Sequence, residues 1–191
     1  MQFILASQSP QRARLLETLP YSFIIHPAHI DESAIKFKNP QEKAKKIALA
    51  KAQAIAEQVV GEAIIVGADT FCLCQSKILE KPKTKAEARK MLNFQSGQEI
   101  QAITGYAFIY QSSEKKNIEN ASIITRARFR QLSSVEIEYY VANQAVLTWS
   151  AAFSPAYDAG MALLASAEGN LTAFTHGLPV DLLVNFINQH L

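Results

Sequence analysis

The sequence predicts an α/β fold, a mixed sheet with flanking helices. Short apolar runs such as residues 3–6 and 63–67 alternate with stretches of helical spacing, the pattern of parallel βα units. Two longer apolar runs, 100–110 and 118–129, are joined by the polar turn 111–117 and read as an antiparallel hairpin. Both strand relationships within one chain mean a mixed sheet with helices packed on it. Hydrophobic residues make up 49% and charged residues 19%, which supplies a packed core and excludes global disorder.

Each element follows in order. Residues 3–6 form a strand, and Ser9 with Pro10 caps and opens a helix at 12–19 whose apolar face is Leu15, Leu16 and Leu19. Residues 21–25 form a second strand and 26–39 a polar loop carrying Asp31 and Glu32. Pro40 opens a long helix in which Ile47, Leu49, Ala50, Ala54 and Ile55 alternate with lysines at helical spacing. A buried-type strand, 63–67, ends at Ala68-Asp69-Thr70, and 71–74 continues as extended chain. Lys81-Pro82 interrupts the pattern, because the residue before proline avoids helix. Thr84 and Glu87 form a capping box for a helix that stops at Ser96-Gly97. After the hairpin, Ser133 or Ser134 caps a helix through Val141, residues 145–157 fit no single element, and 161–165 form a strand. Pro179 opens a last helix, 180–190. A chain of 191 residues admits one α/β domain or two small lobes. With no repeat, low-complexity tract or linker, a single domain over 1–191 is expected.

Lys+Arg total 19 and Asp+Glu 17, a formal net charge of +2. That balance argues against a nucleic-acid coat or a polybasic membrane binder and leaves room for a local basic pocket. The 2 cysteines, Cys72 and Cys74, exclude a disulfide framework and suggest a reducing compartment. The N-terminal stretch lacks the pattern of a signal peptide, and no apolar run approaches the roughly 20 residues that span a bilayer. A cytoplasmic protein with no membrane and no nucleic-acid partner is expected.

Four segments could carry chemistry. Ser7-Gln8-Ser9-Pro10-Gln11-Arg12 links a strand to a helix, where free N–H groups, hydroxyls and a guanidinium bind anions. An ordinary capped helix with a surface arginine has the same look. Asp69-Thr70 closes an apolar strand, and the carboxyl ends of strands carry the sites of α/β sheets. A carboxylate there holds Mg²⁺, takes a proton from water, or merely makes a turn. Lys81 is a phosphate counter-charge or a solvated lysine beside a turn. Asp31-Glu32 offers a second carboxylate to a metal, which would take its remaining ligands from phosphate oxygens. Other chemistries lack their signatures. Cys72-x-Cys74 has no matching ligand pair, so packing explains it better than zinc. The histidines have no metal spacing, and Gly-x-Ser-x-Gly, Gly-x-Gly-x-x-Gly and Walker loops are absent.

The ordered set resembles one family. Leu5-Ala6-Ser7-Gln8-Ser9-Pro10-Gln11-Arg12 with Leu15-Leu16 looks like the opening of the Maf-family nucleoside triphosphate pyrophosphatases. The segment 48–52, Gly67-Ala68-Asp69-Thr70, Lys81-Pro82, Ala88, Leu92, Ser96-Gly97, Thr104-Gly105, Tyr139-Tyr140-Val141 and Gly177-Leu178-Pro179 follow in family order over nearly the whole chain. The resemblance implies an inosine triphosphate pyrophosphatase-like architecture. It implies hydrolysis of a nucleoside triphosphate between its α- and β-phosphates with a divalent metal, Mg or Mn, and a role in clearing non-standard or modified nucleotides. By that resemblance, Asp69 is the catalytic or metal-linked carboxylate, Glu32 the second metal carboxylate, and Lys81 part of the catalytic set. Arg12, Lys51 and Lys81 neutralise the triphosphate, and Ser7 and Ser9 line the phosphate loop. Gln11, Thr70 and Tyr157 fall at the positions that sort family members by base. Thr70 matches the pyrimidine type, whereas Gln11 and Tyr157 match neither known pattern. If these residues share a triphosphate, Ser7, Ser9, Arg12, Asp69 and Lys81 must converge, with Glu32 at the edge. A homodimer is the expected assembly. The competing reading is a non-catalytic nucleotide-binding regulator of cell division; an RNA-binding module is a third, disfavoured by the charge.

Overall fold

The computed structural model describes residues 1–191. They form two compact units, one of residues 1–70, 104–123 and 176–191, the other of 71–103 and 124–175. The mixed sheet with flanking helices expected from the sequence is present. Its strand order is β2-β1-β3-β5-β6-β7, with β4 paired to β3; the strands are β1 (Gln2–Leu5), β2 (Phe23–Ile25), β3 (Ala63–Cys74), β4 (Lys77–Leu79), β5 (Glu99–Gln111), β6 (Lys116–Phe129) and β7 (Leu164–Glu168). β3, β5 and β6 each run from one unit into the other. No helix is long and apolar enough to cross a membrane.

In the first unit β1 lies between two parallel neighbours, with Phe3, Ile4 and Leu5 opposite Phe23, Ile24 and Ile25 on one side and Ile64, Ile65 and Val66 on the other. Helix α1 (Pro10–Leu16) leads from β1 toward β2, and helix α2 (Pro40–Ala56) from β2 toward β3. Both begin as their sequences dictate, with proline in the first turn behind a capping Ser9 or Asn39. Successive strand side chains point to opposite faces. Leu5, Ile64, Val66 and Ala68 therefore join Leu15 and Leu16 of α1 and Leu183, Phe186 and Ile187 of α7 (Val180–Asn188) in one core cluster. Ile4, Ala6, Ala63 and Ile65 join Ala48, Ala52 and Ile55 of α2 in another. Burial on both faces is why these strands read as continuous apolar runs.

Helix α2 sits unusually close to the sheet. A Cβ at Gly67 would come within 2.2 Å of the Ala48 carbonyl oxygen, and one at Gly105 within 2.1 Å of that of Ala44. Bare backbone on the strands and alanines on the helix permit this contact. It fixes where the next turn of α2 can place a long side chain.

The second unit pairs β3 with β4 antiparallel, Cys72 opposite Leu79 and Cys74 opposite Lys77. The turn between them is made by Gln75 and Ser76, both at positive φ, as a tight two-residue hairpin requires. Helices α3 (Lys85–Gln95), α4 (Ser134–Asn143), α5 (Asp158–Met161) and α6 (Leu171–His176) complete the set, with short 3-10 turns at Val146–Thr148 and Ser150–Ala152. The core of this unit gathers Leu92, Ile100, Phe129, Phe153 and Phe174 around the free, buried thiols of Cys72 and Cys74.

Three details differ from the sequence reading. β3 does not stop at residues 68–70 but runs on to Cys74; it exchanges its neighbour β1, paired up to Val66, for β4, paired from Cys72. The Glu87 carboxylate accepts the N–H of Lys83 at 2.7 Å, one residue before Thr84, so only half of a capping box forms there. The full box belongs to Ser133 and Glu136 at the start of α4. The strand expected at 161–165 is β7 at 164–168, because α5 takes residues up to Met161. Four of β7's five residues are exposed, so no apolar alternation marked its bounds.

Candidate active site

The parallel part of β3 ends beside β1, and the next two residues point to opposite faces. Asp69 shares the parity of Ile65 and Gly67 and faces α2; Thr70 shares that of Val66 and Ala68 and faces α1. Two groups of polar side chains form there.

On the α2 face, Lys51 Nζ lies 3.0 Å from Asp69 Oδ1 and 2.8 Å from Glu32 Oε1. The close seating of α2 on Gly67 carries Lys51 to this point. Glu32 arrives on the 3-10 turn Glu32–Ala34, set by Asp31, whose carboxylate accepts the Ser33 N–H at 3.0 Å. The Asp69 and Lys51 side chains are mostly buried, while that of Glu32 is about half exposed.

On the α1 face, Arg12 is buried, at 8% exposure. Its Nε donates to the Gly177 carbonyl at 2.9 Å, Nη1 to Ser7 Oγ at 2.9 Å and Nη2 to Thr70 Oγ1 at 3.2 Å. All three acceptors are neutral. Burial pushes the guanidinium pKa down, and the charges of Asp69 and Glu32 act in the opposite sense, yet neither carboxylate forms an ion pair with it. An ion held in protein without a counter-charge costs several kcal/mol. The Ser7-Gln8-Ser9 loop folds against the same arginine: Ser7 Oγ accepts the Ser9 N–H at 3.2 Å, and Ser9 Oγ donates to Gln11 Oε1 at 3.0 Å. Thr70 Oγ1 also lies 3.1 Å from the buried Thr104 hydroxyl.

Glu32 and Asp69 fit a hard divalent cation. Their oxygens already converge on one positive point, the Lys51 ammonium, and Mg²⁺ sites use one or two carboxylates with phosphate oxygens completing the shell. No group of three or more His, Cys, Asp or Glu side chains that could hold a metal ion gathers anywhere, this site included, so a cation here would depend on ligands beyond these two carboxylates.

The family described as Maf-like protein matches residues 2–190. The chain belongs to the Maf family. The dTTP/UTP pyrophosphatase of Pyrococcus furiosus is 44% identical over 143 residues, covering 75% of this chain and 72% of that one. The dTTP/UTP pyrophosphatase of Symbiobacterium thermophilum is 34% identical over 98% of this chain and 93% of its own. A nucleoside triphosphate pyrophosphatase of a Synechococcus strain is 35% identical over 79% and 76%. Among solved structures, a nucleoside-triphosphatase / dITP/XTP pyrophosphatase from Mycobacterium abscessus overlays 99% of this chain at a TM-score of 0.42 and 9% identity, too loose a likeness to carry weight.

Within this Maf chain the first unit brings together Ser7, Ser9, Gln11, Arg12, Glu32, Lys51, Asp69 and Thr70. Lys81 and Tyr157 belong to the second unit. Lys81 is exposed, and Tyr157 stacks on Trp149 with ring centroids 5.2 Å apart. Gln11 holds the Ser9 hydroxyl, and Lys51 has its charge taken up by two carboxylates. Two residues of this Maf site were not singled out as functional from sequence. Thr104 had one signal, a lone hydroxyl inside an apolar strand that needs a partner. Gly177 had the signal of a glycine just past a helix; its φ is +68, and its contribution is a carbonyl, which no side-chain motif advertises.

Proposed function

We propose that this chain hydrolyses pyrimidine nucleoside triphosphates of the dTTP/UTP class, breaking the α–β phosphoanhydride to give a nucleoside monophosphate and pyrophosphate. The observation that carries the reading is the buried Arg12 guanidinium, satisfied only by neutral oxygens beside a lysine-bridged carboxylate pair. Such a site is complementary in charge to an anion. The names of the Maf relatives supply the kind of anion.

Phosphoryl chemistry asks a protein mainly for positioning and charge. Arg12 binds phosphate oxygens through its fork, while Ser7, Thr70 and the Gly177 carbonyl hold that fork in one orientation. The Ser7-Ser9 loop offers hydroxyls to the same phosphates. Asp69, its orientation fixed by Lys51, takes the proton from the water that attacks the α-phosphorus. Water adds, the bridging oxygen departs with pyrophosphate, and Lys81 offsets charge on the phosphates. A divalent cation, Mg or Mn, held by Glu32 and Asp69 would supply further charge neutralisation. Tyr157 reads the base, and a homodimer is the assembly expected of this enzyme. The non-catalytic regulator reading is the less favoured one, since a pure binder has little use for Asp69 and Glu32 together.

The test is pyrophosphate release over a panel of standard and modified nucleoside triphosphates, with Mg²⁺, with Mn²⁺ and with chelator, and light scattering for the assembly. Cation-dependent release of pyrophosphate from dTTP and UTP is the expected result. Release of orthophosphate, or no turnover of any triphosphate, overturns the reading.

A further inference from the structure

Lys81 is an exposed side chain on a tightly held backbone. Pro82 follows it and is buried; a proline fixes its own φ and restricts the residue before it to extended conformations. On the other side, the carbonyl of Glu80, which belongs to the peptide that enters Lys81, accepts the N–H of Ala151 at 3.1 Å. The Ala151 carbonyl in turn accepts from Gln95 Nε2 at 2.8 Å. Gln95 has no exposed surface. Its amide also donates to the Met91 carbonyl at 3.0 Å, and its Oε1 has no hydrogen-bond partner. All these residues lie in the second unit.

Two further facts mark the arrangement as built. A buried, half-satisfied amide in an apolar core costs free energy that leucine would not. Ala151 and Ala152 stand at φ +59 and +62, where a residue with a Cβ persists only when its surroundings hold it. Gln95 on one side of the Ala151 peptide and Glu80 on the other are those surroundings.

We propose that Gln95 is a positioning residue for Lys81, acting through the Ala151 peptide and the Glu80 carbonyl. This rests on the reading of Lys81 as a phosphate ligand. Gln95 holds Ala151 in its left-handed conformation, Ala151 pins the peptide that enters Lys81, and Pro82 pins the one that leaves. The ammonium is thereby offered to the triphosphate from a fixed origin. Part of the ordering cost that a long lysine meets on binding is removed beforehand.

The test is a double-mutant cycle of Gln95→Leu and Lys81→Ala on the full chain. Calorimetry reads binding of the non-hydrolysable α,β-methylene analogue of UTP with Mg²⁺, and thermal unfolding is followed in parallel. Gln95→Leu is expected to weaken binding about tenfold in the wild-type background, the scale of one charged hydrogen bond, with little change in thermal midpoint. In the Lys81→Ala background it should have no further effect. Equal weakening in both backgrounds, or undiminished binding by a folded Gln95→Leu, overturns the proposal. Lys81→Ala binding as wild type would instead overturn the assignment of Lys81, a separate failure visible in the single variant. If Gln95→Leu does not fold, Gln95→Met, close to glutamine in volume and unbranched, carries the same cycle.

Discussion

Arg12 Nε donates to the carbonyl of Gly177 at 2.9 Å, a bond that joins residues 165 apart in sequence. It ties the helix that follows the Ser7-Gln8-Ser9 loop to the turn that precedes the last helix. The backbone of Gly177 is left-handed, and a Cβ added there would come 2.7 Å from Thr70 Oγ1 and 3.1 Å from Arg12 Nη2.

Gly177→Ala should therefore damage the site twice. The left-handed backbone costs an alanine about 1–2 kcal/mol, and the methyl displaces the arginine fork. We expect a lower thermal midpoint and a loss of kcat/KM of at least about tenfold, carried mainly by KM because phosphate binding is the role proposed for the fork. Steady-state kinetics with UTP check this; wild-type KM would place the fork outside the substrate site.

Arg12→Met removes the buried cation and keeps most of the packing. Replacing an uncompensated ion by an apolar side chain of similar length costs little and can stabilise. The free protein should melt no lower than wild type, yet lose the upward shift that pyrophosphate is expected to give wild type. Melting curves with and without pyrophosphate decide the matter, and an equal shift in both proteins would count against an anion site at Arg12.

Asp69→Asn keeps shape and loses charge. Turnover should be abolished with the circular dichroism spectrum unchanged; activity near wild type with the same cation requirement would sink the role of Asp69. Lys51→Met makes a complementary case. The ammonium contacts the Glu32 and Asp69 oxygens that a divalent cation would take in the proposed mechanism. Removing the ammonium should tighten Mn²⁺ binding, measured by electron paramagnetic resonance without nucleotide, even as turnover falls.

The second unit has its own pH signature. Glu136 accepts from the Ser133 N–H and hydroxyl and pairs with Arg130, which lowers its pKa from 4.5 to about 2. A carboxylate whose folded pKa is depressed stabilises the fold above its unfolded value and loses that contribution as pH falls toward the folded one. Glu136→Gln should thus melt below wild type at pH 7, with the gap closing between about pH 4.5 and 2. A gap that stays constant down to pH 2 would show that the charge contributes nothing.

The sequence made the buried parallel strands legible, because burial on both faces leaves an unbroken apolar run. It made the starts of α1 and α2 legible through Ser9-Pro10 and Pro40. It blurred the bounds of β7, expected at 161–165 and found at 164–168, because an exposed edge strand has no alternation to read, and it hid the length of β3, whose interior position for Asp69 depends on a change of neighbour that one strand cannot announce. Arg12, Lys51 and Asp69 stood out by residue type and by family pattern. Convergence of Arg12 and Asp69 followed from a shared triphosphate, but the Lys51 bridge between Asp69 and Glu32 did not, because the contact of α2 with Gly67 and Gly105 is a property of absent side chains. Gly177 and the Ala151 peptide act through backbone atoms, which all residues share.

Both cysteines of the chain lie on β3 within the second unit, side by side on one face. Burial pushes the Cys72 thiol up to about 12. An alkylating reagent that needs thiolate cannot reach it at neutral pH until that unit opens. Slow labelling of the native enzyme consequently clocks one unit's breathing in isolation, since the other contributes no sulfhydryl. Set beside amide exchange in β1, which belongs to the first unit, it would reveal whether nucleotide quiets both units together or only the one that holds Arg12.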